Sequence, residues 1–156
     1  MKKEHSIEIL ARAVCVRSGK LLLCHGKGAS NTYLPGGHVE FGEGAEVAVC
    51  REIEEEMGKR ARVKRFLGAV EHAFVQSGKK HVEINLVFEV VIEGITTGRQ
   101  PDSCEGHIEF EWHPLRALKG SCLEPWTLRK QVPVWLRGRG SARWSSTLFS
   151  RNLEKG

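Results

Sequence analysis

The sequence lacks the features that mark several classes of protein. It contains no uncharged apolar run near the roughly 18 residues that a membrane-spanning helix needs, no internal repeat and no low-complexity linker. Its five cysteines are an odd number without a Cys-x-x-Cys pair, which argues against a disulfide framework or a zinc site. Glu8 and Arg12 interrupt the apolar stretch near the start, so we predict no signal peptide and expect a cytoplasmic location.

The composition is that of an ordinary globular chain. Its 156 residues are 40% hydrophobic and 28% charged, which predicts a single domain over residues 1–156. The net charge of +5 is uneven, because residues 115–156 hold nine Lys and Arg against two Glu. The remainder is therefore mildly acidic, and we expect residues 139–156 to form a basic, loosely ordered tail.

Strand-like and helix-like patterns follow each other along the chain. The β-rich runs are residues 7–16, 20–25, 62–76, 81–92 and 108–113. Ser18-Gly19 between the first two predicts a hairpin. Helical segments are predicted between Gly44 and Gly58, over 115–118 and over 125–136, with a break or kink at Pro133. This mixture favours an α/β or α+β sandwich.

The helix between Gly44 and Gly58 carries an unusual group of acids. Glu52, Glu55 and Glu56 stand at i, i+3 and i+4, so their carboxylates share one face. The opposite, apolar face is predicted to consist of Val47, Cys50, Ile53 and Met57. Like charges at these spacings repel, by about 0.2–0.5 kcal/mol per pair. A hard divalent cation such as Mg²⁺ or Mn²⁺ would turn that repulsion into binding energy.

The acids belong to a longer spaced motif, G-x5-E-x7-R-E-U-x-E-E-x-G, in which U is a bulky aliphatic residue. Its fixed positions are Gly37, Glu43, Arg51, Glu52, Ile53, Glu55, Glu56 and Gly58. The motif resembles the Nudix box of the Nudix hydrolase (MutT-like) family, except that Lys59 stands where that family usually has an aliphatic residue. Over about residues 7–118, the resemblance implies a Nudix-type α/β/α sandwich with a mixed β-sheet.

The resemblance also implies roles for individual residues. Glu52, Glu55, Glu56 and the Gly36 carbonyl would be ligands of Mg²⁺ or Mn²⁺, and Glu52 has the alternative role of orienting or deprotonating the attacking water. Arg51 and Glu43 would hold the loop against the helix. A further acid from the loop before the last strand is a ligand or general base in some relatives, and Glu105 is the first candidate here.

The implied reaction is hydrolysis of the pyrophosphate bond in a nucleoside diphosphate linked to another moiety. Markers of several family subgroups are absent, which leaves hydrolysis of a nucleoside triphosphate or a nucleotide sugar, or a broad-specificity phosphohydrolase, as the working hypothesis. The alternatives are an ADP-ribose pyrophosphatase, and an RNA-end-processing or nucleic-acid-binding protein that uses the basic tail. The expected partner is a small nucleotide rather than a membrane, and neither substrate-binding residues nor oligomeric state follow from the sequence.

Overall fold

The computed structural model describes residues 5–138 and 143–148. The strands in these ranges are β1 (Ile7–Val14), β2 (Val16–Arg17), β3 (Lys20–Gly26), β4 (Gly36–His38), β5 (Ala61–Gln76), β6 (Lys79–Ile92), β7 (Ile108–Pro114) and β8 (Trp144–Ser146). The helices are α1 (Ala45–Met57), a 3₁₀ helix (Leu115–Gly120) and α2 (Leu128–Leu136). No helix among the described residues combines the length and the hydropathy of a membrane span.

The strands form two sheets with helices packed against them. The larger sheet is mixed, with the order β4-β1-β6-β5-β8, and the smaller sheet has the order β2-β3-β7. In the larger sheet β1 runs parallel to β6 and β5 runs parallel to β8, while the other pairs are antiparallel. The predicted α/β fold with a mixed sheet is therefore confirmed.

The first predicted strand divides between the two sheets. We expected residues 7–16 to pair with residues 20–25, but only β2 pairs with β3. The longer piece, β1, pairs with β4 and β6, and the chain changes sheets at the buried Cys15. The β-rich pattern continues from β1 through Cys15 into β2 without a turn residue, so the sequence contains no sign of this change.

The carboxylate helix α1 has nearly the predicted bounds. It ends where Gly58 takes a left-handed conformation (φ 63°) and donates its N–H to the Glu54 carbonyl. The predicted apolar face was partly wrong, because Val47 is 62% exposed. The apolar residues that α1 buries are Ala48, Val49, Ile53 and Met57. The helix is thus rotated so that its last turns, including Glu56, face the interior.

The C-terminal prediction also needs correction. Residues 144–146, which we expected to be loosely ordered, form β8 and pair with Ala69–Glu71 of β5. Residues 139–142 and 149–156 of the predicted tail lie outside the described residues. Helix α2 begins at Leu128 rather than at residue 125, and it continues through Pro133 to Leu136. Its buried side packs on the core cluster around Val70 and Val87.

Candidate active site

Two of the predicted metal ligands converge on the start of β4. The carboxylate of Glu52 lies against Gly37 so closely that a Cβ on this glycine would be 2.5 Å from both carboxylate oxygens. The N–H of Gly36 donates to Oε2 of Glu56 at 3.3 Å. Gly36 itself has a φ of 134°, and a Cβ there would collide with the Ala11 carbonyl. Only glycine therefore lets this turn approach both α1 and β1.

Glu56 is a buried acid in an unfavourable environment. Its residue exposure is 6%, and burial raises its pKa to about 8. Arg12 and the Gly36 N–H oppose this increase, whereas Glu52 and Glu105 add to it. A cation next to this carboxylate would stabilise its charged form.

Arg51 joins the loop after β4 to the acids of α1. Its Nε and Nη2 donate to the two carboxylate oxygens of Glu43 at 2.7 and 3.0 Å, a bidentate contact. Nη1 donates to Glu52 at 3.1 Å and to Glu55 at 3.2 Å, and Nη2 also donates to the His38 carbonyl. These bonds lower the pKa of Glu43 and bring Glu43, Glu52 and the more exposed Glu55 to one guanidinium.

The loop before β7 carries Glu105 to the end of α1. The Cys104 N–H donates to the Glu56 carbonyl at 2.7 Å, and the Ser103 hydroxyl bonds with both the N–H and the carbonyl of Glu105. Glu105 is near enough for its charge to contribute to the raised pKa of Glu56. Its carboxylate lies 3.3 Å from His107. The structure thus places the backbone of this loop at the end of α1, with the Glu105 carboxylate paired to His107.

The donor set fits a hard cation, although its geometry is not that of a closed metal site. Within the described residues, no three His, Cys, Asp or Glu side chains are arranged around one point as ligands. Carboxylate and carbonyl oxygens are nevertheless the donors that Mg²⁺ and Mn²⁺ prefer. The buried, weakly compensated carboxylate of Glu56 is the strongest structural reason to place a cation here.

Arg12 is a site residue that the sequence reasoning missed. Its Nε donates to Asn85 Oδ1 at 3.2 Å, and its Nη1 donates to the carbonyls of Leu34 and Gly36 at 3.2 and 3.3 Å. The guanidinium also lies over the ring of Tyr33, 5.6 Å from its centroid. The charge of Arg12 in the β-rich run of residues 7–16 was the available signal, but we used it, together with Glu8, only to argue against a signal peptide.

A cavity of about 350 Å³ opens beside Arg12. It lies between the larger sheet, the loop before β4 and the start of α2, and its volume is within the usual range for small-molecule sites, about 300–1,000 Å³. The wall includes Arg12, Tyr33, His72, Phe74, Glu83 and Asn85. Arg12 bonds to the Gly36 carbonyl and to Asn85, so it connects the predicted metal ligands with this cavity.

A protein-family model matches a range of the chain that includes both the fold and the motif. A family model described as the NUDIX domain matches residues 8–135, which is most of the chain. The chain belongs to the Nudix family. This confirms the MutT-like hydrolase family that the motif from Gly37 to Gly58 resembles.

A curated relative matches part of this chain. The chain is 33% identical over 85 residues to MutT4 of Mycobacterium tuberculosis (strain CDC 1551 / Oshkosh), a match that covers 54% of this chain and 33% of that protein. The chain thus spans about a third of the length of this curated relative.

Solved Nudix structures match a larger share of the chain. A MutT NUDIX hydrolase from Burkholderia pseudomallei is 29% identical, with a TM-score of 0.62 and coverage of 82% of this chain and 99% of that one. The ORF135 protein of E. coli is 22% identical, with a TM-score of 0.66 and coverage of 86% and 94%. At this lower identity the likeness to ORF135 supports the fold alone.

Proposed function

We propose that this chain is a divalent-metal-dependent hydrolase of the pyrophosphate bond in a nucleoside diphosphate linked to another moiety. A nucleoside triphosphate or a nucleotide sugar is the expected substrate, and the cytoplasm is the expected location. The observation that carries the proposal is the convergence of Glu52 and Glu56 on Gly36-Gly37, beside a cavity of nucleotide size. Charged phosphates need neutralising groups, and a planar base with polar edges needs a cavity with rings and hydrogen-bonding side chains, so a nucleotide needs these two environments side by side.

Each predicted site residue has a role in this proposal. Glu52, Glu55, Glu56 and the Gly36 carbonyl would hold Mg²⁺ or Mn²⁺, which neutralises phosphate charge and lowers the pKa of bound water. Arg51 and Glu43 are positioning residues, since their bidentate contact fixes the loop on α1. Glu105 is the candidate acceptor of the proton from the attacking water, with Glu52 as the alternative.

The cavity supplies the binding part of the reaction. Tyr33 and Phe74 are the aromatic rings among its lining residues, and Arg12, which lines it as well, donates to the Gly36 carbonyl. A base held in the cavity would direct its phosphates towards Gly36-Gly37, where the acids converge. This arrangement would position the scissile bond before the chemical step, which is a large part of catalysis in phosphoryl transfer.

A product-resolved hydrolysis assay tests the proposal. The panel contains nucleoside triphosphates, nucleotide sugars, ADP-ribose and capped RNA, each with and without Mg²⁺ or Mn²⁺. We expect metal-dependent cleavage of a triphosphate or sugar nucleotide, lost in Glu56→Gln and retained in Glu54→Gln, because Glu54 is an exposed acid of the same helix outside the motif positions.

The same panel separates the alternatives. Preferred cleavage of ADP-ribose or of capped RNA would show that the substrate is not a nucleoside triphosphate or a nucleotide sugar. Full turnover by Glu56→Gln would contradict the assignment of Glu56 as a metal ligand.

A further inference from the structure

One acid in the cavity wall is unlike the exposed acids of the chain. Glu83 on β6 is only 9% exposed, yet it lies among the residues that line the cavity. Burial of a carboxylate is costly unless hydrogen bonds compensate it. From the sequence, Glu83 is only a weaker candidate than Glu105 for the further acid, and the hydrolysis described above does not use it.

A relay of hydrogen bonds fixes the role of this carboxylate. Arg12 Nε can only donate, so the atom of Asn85 that it contacts at 3.2 Å must be the acceptor Oδ1. The Asn85 amide is therefore oriented with Nδ2 towards Glu83, and it donates to Oε2 at 3.3 Å. Asn85 is fully buried, so this orientation is held by its surroundings. Glu83 is thus an oriented hydrogen-bond acceptor.

The basic residues of the cavity wall, Arg12 and His72, do not form an ion pair with Glu83. Arg12 directs its N–H groups to Asn85 and to two backbone carbonyls. His72 is paired with Glu83 across β5 and β6, and burial lowers its pKa although the charge of Glu83 acts in the opposite direction, so the charged imidazolium is disfavoured. Glu124, the other acid of the cavity wall, pairs with Arg129 at 2.9 Å. Glu83 keeps its capacity to accept hydrogen bonds from a ligand.

Flat rings beside Glu83 define the shape of that ligand. His72 and Phe74 are stacked with centroids 5.1 Å apart, and Phe74 is stacked on His81 at 5.0 Å. Tyr33 lines the cavity as well. Phe74 is thus already stacked with two other rings, and Tyr33 is the aromatic residue of the wall outside that stack. A planar heterocycle would fit an aromatic wall of this kind, and an edge with N–H donors would complement the carboxylate.

We propose that Glu83 determines base specificity by accepting hydrogen bonds from a guanine-type edge, a proposal that rests on the nucleotide hydrolysis proposed above. Guanine presents two adjacent donors, N1–H and the exocyclic amino group, which match the two oxygens of a carboxylate. Hypoxanthine retains only N1–H, and adenine places an acceptor at N1. An unmatched acceptor in the ligand would face a buried acceptor in the protein, which costs affinity.

A ligand series tests this proposal on the unmodified protein. Calorimetry would measure the binding of GMP, IMP and AMP, which contain no pyrophosphate bond and therefore need no turnover. We expect the affinity to fall in the order GMP, IMP, AMP, with at least about a tenfold difference between GMP and AMP. Equal affinities, tighter AMP binding, or binding of none of the three would overturn the proposal.

A variant pair assigns the preference to Glu83. Glu83→Gln can retain the bond from Asn85 through its amide oxygen, but its N–H₂ group would oppose the donors of guanine. We expect the preference for GMP over AMP to disappear in this variant and to persist in Glu71→Gln, since Glu71 on β5 is outside the cavity wall. A guanine preference that survives Glu83→Gln contradicts the proposal, and a variant that fails to fold leaves the ligand series decisive.

The two proposals can fail separately. Binding of monophosphates requires neither metal nor hydrolysis, so a guanine preference without any turnover would remove the proposed reaction and keep the role of Glu83. Metal-dependent turnover with equal kcat/KM for GTP and ATP would do the reverse.

Discussion

Replacement of Arg12 by methionine tests the connection between the cavity and the carboxylate helix. The variant keeps an apolar stem in β1 but removes the donors to Asn85 Oδ1 and to the carbonyls of Leu34 and Gly36. Asn85 is fully buried, so its oxygen loses a donor that only a water entering from the cavity could replace. We therefore expect the variant to be less stable and to hold Glu83 less firmly.

The expected loss in the free energy of unfolding of Arg12→Met follows from the three hydrogen bonds that the variant removes. One unsatisfied buried acceptor costs about 1–3 kcal/mol, and the two carbonyls add a smaller amount because Arg12 is only half-buried, so we expect a total of about 2–4 kcal/mol. For a chain of this size, each kcal/mol lowers Tm by about 2–4 °C, which predicts a decrease of about 5–15 °C. Arg12→Lys keeps the charge without the planar fork, and it should lose about half as much.

Thermal and urea unfolding would measure both variants. The control is Arg116→Met, an exposed arginine of the 3₁₀ helix, for which we expect a change within about 0.5 kcal/mol. A double-mutant cycle with Asn85→Ala should show a coupling of about 0.5–3 kcal/mol. Two results would refute this role of Arg12. One is a Tm of Arg12→Met within about 2 °C of the parent, which corresponds to a loss of only about 0.5–1 kcal/mol. The other is strict additivity of Arg12→Met with Asn85→Ala.

Three further predictions concern the acids and the glycines beside them. Gly37→Ala places a Cβ against the flexible end of Glu52, so this variant should fold but lose most of its turnover. Gly36→Ala places a Cβ against the Ala11 backbone, so this variant should unfold. Equal circular dichroism and equal activity of the two variants would contradict this difference. Burial raises the pKa of Glu56 to about 8, so the folded, metal-free protein binds a proton that the unfolded chain has released. Its free energy of unfolding should therefore fall as pH rises from about 5 to 8, while Glu56→Gln should show a flatter profile by urea unfolding, and parallel profiles would count against the assignment. Glu105→Gln should lower kcat about 100-fold or more with little change in KM, and an unchanged kcat would remove Glu105 from the reaction.

The carboxylate helix was predictable because its signals are local. The glycine at each end and the i, i+3, i+4 spacing of Glu52, Glu55 and Glu56 act over a few residues, and the structure has α1 at Ala45–Met57. The rotation of the helix was not predictable in the same way. It depends on what packs against α1, so Val47 is exposed although it fits the apolar period.

The cavity could not be predicted because its contacts join distant parts of the chain. Arg12 and Asn85 are 73 positions apart, and the parallel pairing of β1 with β6 brings them together. The same applies to β8, which forms because it pairs with β5, although the sequence of residues 143–148 has no strand-like periodicity. The β1–β6 and β5–β8 pairings leave no periodic pattern in the sequence. The metal ligands could therefore be proposed from the motif, whereas the residues of the cavity wall could not.

Metal binding by Glu56 tests the central claim most directly. Mn²⁺ titrations by calorimetry would compare the parent chain with Glu56→Gln and with the control Glu54→Gln, an exposed acid of the same helix. We expect one site that Glu54→Gln retains and that Glu56→Gln weakens by at least about tenfold, since changes of residues that only support metal ligands already cost about 10–100-fold. The same Mn²⁺ affinity in all three proteins would contradict the claim that these acids form a metal centre.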